Sequence, residues 1–259
     1  METIVSKKQL DKDALESKVK SMYRDVALNP HNEYHFEMGR PLAERLGYPS
    51  VILDKIPAES IESFAGVGYY FDLLDLKAGE TVLDLGSGSG MDVFFAAQLT
   101  GDSGKVIGID MTEEQLTKSI NLANSHSYGK VYFQNAHIEL LPIENESVDA
   151  VISNGVVNLS ADKKSVFEEA ARILKPGGRL ALADIVTSVE LPENISCDAT
   201  LWAACIGGAA EFKEYINLIE SAGLKVVQVK ENPYRFISEN AQGATDQFGI
   251  KSISICAVK

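Results

Sequence analysis

Apolar residues recur every three to four positions between Asp11 and Ala27, at Leu15, Val19, Met22 and Val26, which predicts an amphipathic helix with one buried face. Asn29-Pro30 ends it, because proline lacks the amide that the next helical turn needs. From His31 to Tyr70 the periodicity is lost, and Pro41, Pro49, Pro57 and Gly66 to Gly68 punctuate a polar and aromatic stretch. Short helices and turns are expected there, not sheet. Residues 1–75 thus read as an N-terminal helical cap segment over a main domain of residues 76–259.

From Thr81 the pattern changes to short β-branched or leucine-rich runs that alternate with helical segments, the order expected of βαβ units in a parallel sheet. The first five runs are TVLDL, KVIGID, KVYFQN, VDAVISN and GGRLALADIV. Met91 to Leu99, Glu113 to Ser125 and Lys163 to Leu174 supply the crossover helices, and Thr112 with Gln115 forms a candidate capping box before the second. An insertion around Pro192 to Gly208 precedes a helix over Glu211 to Ala222, which Gly223 stops. The runs LKVVQVKE and IKSISICAVK follow with no crossover helix of useful length between them, so they are expected to pair as a hairpin. One of the two then runs antiparallel to the rest of an α/β sheet.

A chain of 259 residues has room for one such domain plus an appendage. Its 45% hydrophobic and 24% charged residues are those of an ordinary folded protein. The net charge of -13 repels phosphate backbones and anionic headgroups, so no nucleic acid and no membrane is expected as a partner. No apolar run approaches the roughly 18 residues of a membrane span, and METIVSKKQLDKDALESK lacks the apolar centre of a secretory signal. A cytoplasmic protein is expected. Cys197, Cys205 and Cys256 form no C-x-x-C pair, and their odd number argues against a disulfide framework. No metal site is expected, and Cys256, in the run SISICAVK, reads as a small buried hydrophobe.

The chemistry concentrates in VLDLGSGSGMD, where Gly86, Gly88 and Gly90 follow a strand and open a helix. Glycines allow a sharp turn and let a ligand approach the backbone around Ser87. Dinucleotide sites usually read G-x-G-x-x-G, whereas the spacing here is G-x-G-x-G and Asp84 precedes the first glycine by two residues. A carboxylate there repels pyrophosphate and suits a cationic ligand. Asp110 ends the second strand, where it can accept from both ribose hydroxyls, and Met111 can pack on a base. The alternative is that Asp84 and Asp110 merely cap the turn and the following helix.

Through VLDLGSGSG, VIGIDMT, VDAVISN and LKPGGRL, the chain from Gly79 to Lys259 resembles the class I S-adenosylmethionine-dependent methyltransferases. That resemblance implies a Rossmann-like sheet of seven strands, mostly parallel, with the last inserted antiparallel, and S-adenosyl-L-methionine as methyl donor. It also implies that Ile138 and Glu139 line the adenine and that Asn154 sits beside the methyl sulfonium.

Within that class, YHFEMGRPLAERLGY, HIELLPIENESVDAVISNGVVNLSADK and LPENISCDATLWAACIGGA are similar to the arsenite methyltransferase branch, whose members hold trivalent arsenic through thiolates. Cys205 matches one such thiolate, but the fourth-strand position is Gly155 and no cysteine precedes Cys197. On a helix Cys197 and Cys205 would lie about 80° apart and could face one pocket. The expected catalytic set is Cys205, Asn154 and His35, and the resemblance places His35 and Arg40 in a segment that closes over the ligand. His137, Glu139 and Tyr70 are the other titratable candidates, and Tyr69, Tyr70 and Trp202 could wall an acceptor pocket. Three functions stay open: methyl transfer to a small soft nucleophile with trivalent arsenic as a candidate, transfer to a small organic acceptor, and nucleoside binding without catalysis.

Overall fold

The computed structural model describes residues 12–192, 195, 202, 206–237 and 239–259. The amphipathic pattern at the N-terminus forms α1 (Lys12–Leu28), which buries Leu15, Val19 and Val26. The punctuated stretch that follows folds into the short helices α2 (Gly39–Leu46), α3 (Ser50–Leu53), α4 (Ala58–Glu62) and α5 (Phe71–Leu74), with no strand among them. Tyr48, Phe71 and Phe95 crowd together beneath this segment, with ring centroids 4.5 to 6.2 Å apart, and join it to the main sheet.

The sheet contains β1 (Thr81–Leu85), β2 (Lys105–Asp110), β3 (Val131–Asn135), β4 (Val148–Asn154), β5 (Leu174–Thr187), β6 (Ala210–Glu211), β7 (Lys225–Glu231) and β8 (Lys251–Val258). Its order is β3-β2-β1-β4-β5-β8-β7, with β6 paired to the end of β5. The first five strands are parallel, and β8 lies antiparallel between β5 and β7. Seven strands were expected; the eighth is β6, a two-residue pairing too short to leave a hydrophobic pattern. β5 begins before its apolar run because Leu174 pairs with Val148, after which Pro176 and Gly177 bulge out before Arg179 rejoins Ala150.

Helices α6 (Met91–Thr100), α7 (Glu113–Ser125), α8 (Lys163–Ile173) and α9 (Phe212–Ser221) fall where the periodicity places them. Two expectations change. The last two long strands pair antiparallel, but α10 (Glu239–Phe248) interrupts their connection, so it is not a tight hairpin. The Thr112–Gln115 capping box does not form, because Gln115 turns inward and donates to the Tyr23 carbonyl at 2.8 Å while its Oε1 accepts from Ser89 at 2.5 Å.

Arg172 of α8 locks the loop after β3. Its guanidinium donates to the Leu141 and Ile143 carbonyls at 3.0 and 2.7 Å, to Asn145 Oδ1 at 2.7 Å and to both Glu169 oxygens at 2.6 and 2.7 Å. Arg172→Met removes every one of these donors while keeping an aliphatic stem. A loss of about 2 kcal/mol in urea unfolding is expected, and a change within experimental error would show that the loop holds its place without the clamp.

Candidate active site

The carboxyl ends of β1, β2 and β4 converge on a cavity of about 1000 Å³, roofed on one side by Leu15, Val19 and Tyr23 of α1. All nine residues read as cofactor-binding line it: Asp84, Gly86, Ser87, Gly88, Asp110, Met111, Ile138, Glu139 and Asn154. Such a crevice beyond the carboxyl ends of the strands is where open α/β sheets hold their ligands.

The glycine turn is shaped by close approach. Gly86 has φ +70°, and a Cβ there would sit 2.4 Å from Val156 Cγ1, so both backbone and space demand glycine. The turn is pinned to the second strand, since Ser87 N–H donates to the Ile109 carbonyl at 2.9 Å and Gly88 N–H to Asp110 Oδ2 at 2.9 Å. Asp110 Oδ1 also accepts from Thr112 N–H at 2.8 Å. These bonds leave Asp110 free to accept others from the cavity that it lines, because a carboxylate can accept more than these two. Ser87 Oγ is buried with no hydrogen-bond partner among the described residues.

Three buried carboxyls dominate the electrostatics. Asp84 has its pKa raised well above the ordinary range by burial and then by Asp92 and Asp110, and no hydrogen bond from a described residue offsets the shift. Burial also raises Asp92, restrained by bonds from Tyr48 Oη at 2.6 Å, Tyr70 Oη at 2.7 Å and Asn154 Nδ2 at 3.1 Å. Asp110 is raised by burial against hydrogen bonds from the Thr112, Gly88 and Met111 amides and the Thr112 hydroxyl. A pocket floored by acids that repel one another is matched to a ligand carrying positive charge. The residues present thus fit the ammonium and sulfonium of S-adenosylmethionine.

Asn154 lines the cavity, yet its amide is fully occupied. Oδ1 accepts from Val67 and Gly68 N–H at 2.8 and 3.3 Å, and Nδ2 donates to Tyr48 Oη, the Gly68 carbonyl and Asp92 at 3.0, 3.0 and 3.1 Å. It ties the end of β4 to the segment before α5, so it positions the site. Asp92, Tyr48 and Gln115 were not among the sequence candidates. Asp92 stood in the quoted motif GSGSGMD, but its partners lie 22 to 62 residues away in sequence.

Other candidates lie elsewhere. His35 is exposed, outside the cavity wall, with its ring edge-on to Phe36 at 4.8 Å. Arg40 faces outward on α2, bonded to Glu44 and Asp54 at 2.8 and 2.5 Å. Glu139 accepts from Ser160 Oγ, and His137 Nε2 stands 3.9 Å from Glu16 Oε1 of α1, so both belong to the cavity rim. Tyr70 is a buried donor to Asp92 with its pKa driven up by burial, which excludes it as a base. Cys197 and Cys205 lie outside the described residues, and Cys256 is buried in β8.

A family described as a methyltransferase domain matches residues 76–223. An arsenite methyltransferase of Halobacterium salinarum is 37% identical over 199 residues, covering 76% of this chain and 51% of that protein. The human arsenite methyltransferase is 45% identical over 151 residues, covering 55% of this chain and 40% of that one. The crystal structure of an arsenic(III) S-adenosylmethionine methyltransferase from Chlamydomonas reinhardtii superposes with a TM-score of 0.69 at 29% identity, covering 86% of this chain and 74% of that chain. The chain spans about half the length of the curated relatives it matches.

The acid cluster should cost the ligand-free protein stability. A carboxyl whose pKa is raised in the fold stabilises while protonated, and that contribution disappears as pH rises through its folded value. Asp84→Asn is therefore expected to raise the ligand-free melting temperature at pH near 8, by an amount on the order of 1 kcal/mol in stability. The gain should shrink as pH is lowered and the wild-type carboxyl takes up its own proton. Thermal melts across that range decide it; a variant less stable at every pH would refute the repulsion.

Proposed function

We propose that this chain, which belongs to the class I S-adenosylmethionine-dependent methyltransferases of the arsenite methyltransferase-like branch, binds the methyl donor in the acid-floored cavity and transfers its methyl group to a small soft nucleophile, trivalent arsenic first among them. The observation that carries the reading is the buried Asp84, Asp92 and Asp110 around one cavity, an arrangement that discriminates for a cationic nucleoside and against a pyrophosphate. Asp84 holds the amino-acid end, Asp110 the ribose, and Met111, Ile138 and Glu139 the base. Bound there, the donor supplies a methyl group already activated by its sulfonium. The protein's own contribution is alignment and exclusion of water.

The Asn154 end of the cavity favours an acceptor that brings its own lone pair. Phe64 and Asn154 both crowd Gly66, where a Cβ would meet Asn154 Cγ at 2.7 Å, and all three line the cavity. The titratable groups touching Asn154 are Asp92, already bonded to two tyrosines, and Tyr48, kept neutral by burial, so among the described residues no base stands ready there. Arsenic and sulfur nucleophiles need none, whereas a phenol or amine usually does. A small organic acceptor is the second reading. Cys205, with Cys197 as a second thiolate, is the proposed acceptor ligand in the absence of a cysteine at Gly155. His35, proposed from the resemblance as part of a segment that closes over the ligand, lies outside the cavity wall in the ligand-free chain.

The division into a cap of residues 1–75 and a donor-binding domain of residues 76–259 accompanies this reading, as does a cytoplasmic location. Among the described residues no helix is long and apolar enough to cross a membrane.

Calorimetry and a labelled-donor assay test the proposal. S-adenosylhomocysteine should bind, and Asp84→Asn should weaken it at least tenfold, as expected for loss of a buried charge partner. Arsenite heat that disappears in Cys205→Ser, with labelled methylarsenical as product, is the expected result. Donor-product binding without arsenite heat would transfer the assignment to a small organic acceptor, and absence of nucleoside binding by the folded protein would end the methyltransferase reading.

A further inference from the structure

A part-buried ammonium sits beside the cavity. Lys163 is the first residue of α8, and its Nζ donates to the Asn158 and Ser160 carbonyls at 3.2 and 2.8 Å. The same nitrogen lies 4.8 Å from the centre of the Trp202 ring, over the electron-rich face. The indole is confined from the other directions too. A Cβ on Gly207 would come within 2.4 Å of Trp202 Cδ1, and one on Gly208 within 2.7 Å of Cε3, so only glycine lets the backbone lie against the ring.

Trp202 is buried in a cluster with Leu15 and Val19 of α1, against which Met111, Leu159 and Ala161 also pack. These five neighbours all line the donor cavity as well. The tryptophan therefore occupies the seam where α1, the nucleoside wall and the turn before α8 meet. Leu15 and Val19 have one face toward the ligand and one toward the indole, so whatever fixes Trp202 also fixes the roof.

We propose that Lys163 is a positioning residue whose ammonium pins the Trp202 indole against α1 and so holds the roof of the nucleoside cavity closed. It acts on bound ligand only through Trp202. The charged groups facing it are Asp184 on β5, Glu214 on α9 and Glu139 on the loop after β3, all of which favour the ammonium. Burial opposes them and lowers the lysine pKa to about 8. Asp184 is itself held by Tyr215 Oη at 2.7 Å and by the Asn158 and Ile185 amides at 2.9 Å each, so it cannot swing toward the lysine.

Two opposite pH responses follow. Above about 8 the folded lysine loses its proton, and the contact with the indole goes with it. The unfolded chain keeps that proton up to the ordinary lysine value, so this group's contribution to global stability rises with pH through the same window. Local loosening of the seam without loss of the fold is the signature.

Trp202 is the one tryptophan of the chain, so tryptophan emission reports on the surroundings of this indole. Emission of the full chain without ligand should titrate between about pH 6.5 and 9.5 with a midpoint near the lysine value. The titration should be absent in Lys163→Met, and Lys163→Arg should keep the low-pH emission throughout. Emission that does not change with pH in the wild type, or that titrates identically in Lys163→Met, overturns the proposal. If Lys163→Met does not fold, a wild-type-like titration in Lys163→Arg does the same. The effect on ligand rests on the methyltransferase reading: S-adenosylhomocysteine should bind roughly threefold or more weakly to Lys163→Met and recover in Lys163→Arg. Unchanged affinity in Lys163→Met would overturn the link to the roof. A wild type that binds no S-adenosylhomocysteine but shows the emission titration would sink the donor assignment and leave the pin standing.

Discussion

Three carboxyl groups buried within one another's fields at the ends of β1, at the start of α6 and at the end of β2 are a constraint that the rest of the molecule is arranged around. Burial pushes each of them toward the neutral form, and the charges of Asp92 and Asp110 push Asp84 further in the same direction. The fold resolves the conflict unevenly. Asp92 receives two tyrosine hydroxyls and an asparagine amide, and Asp110 receives two backbone amides, while Asp84 is left facing open space. That unevenness marks Asp84 as the group whose counter-charge must arrive from outside. The short helices upstream serve the same end, because Tyr48 and Tyr70 reach the sheet only through them.

What could be seen in the chain before its structure was local. The first four strand runs with their glycine turn, and the acids two residues before the turn and at the end of β2, declare themselves within windows of about ten residues. The antiparallel last strand was legible because no helix-length pattern separates the final two apolar runs. The intervening α10 stayed hidden for a related reason: ENAQGATDQF is polar, carries a glycine and shows no apolar stripe. Gln115 misled because it sat at capping-box spacing, yet its side chain found better partners in Ser89 and the Tyr23 carbonyl. The Tyr48–Asp92–Asn154 network could not be read at all, since its members meet only after two segments more than 40 residues apart have folded together.

The position of Gly155 bears on which acceptor the protein can hold. It takes φ +71°, and a Cβ there would lie 3.3 Å from Val67 Cγ1, so this backbone favours glycine over the cysteine of the arsenic branch. Loss of that side chain is therefore accompanied by a backbone shape suited to its loss.

The antiparallel β8 also has a consequence in time. It fills the gap between β5 and β7, and pairs with both along most of its length. A nascent chain that has emerged only as far as α9 would hold five long parallel strands with the β5 edge bare up to its short pairing with β6, and β5 carries the fully buried Leu180, Leu182 and Ile185. The chain must wait through the synthesis of β7 and α10 before the strand that covers this edge exists. During that interval an apolar, hydrogen-bond-hungry border is open to whatever else is nearby, which makes β8 the step at which assembly of the domain and escape from aggregation become the same event.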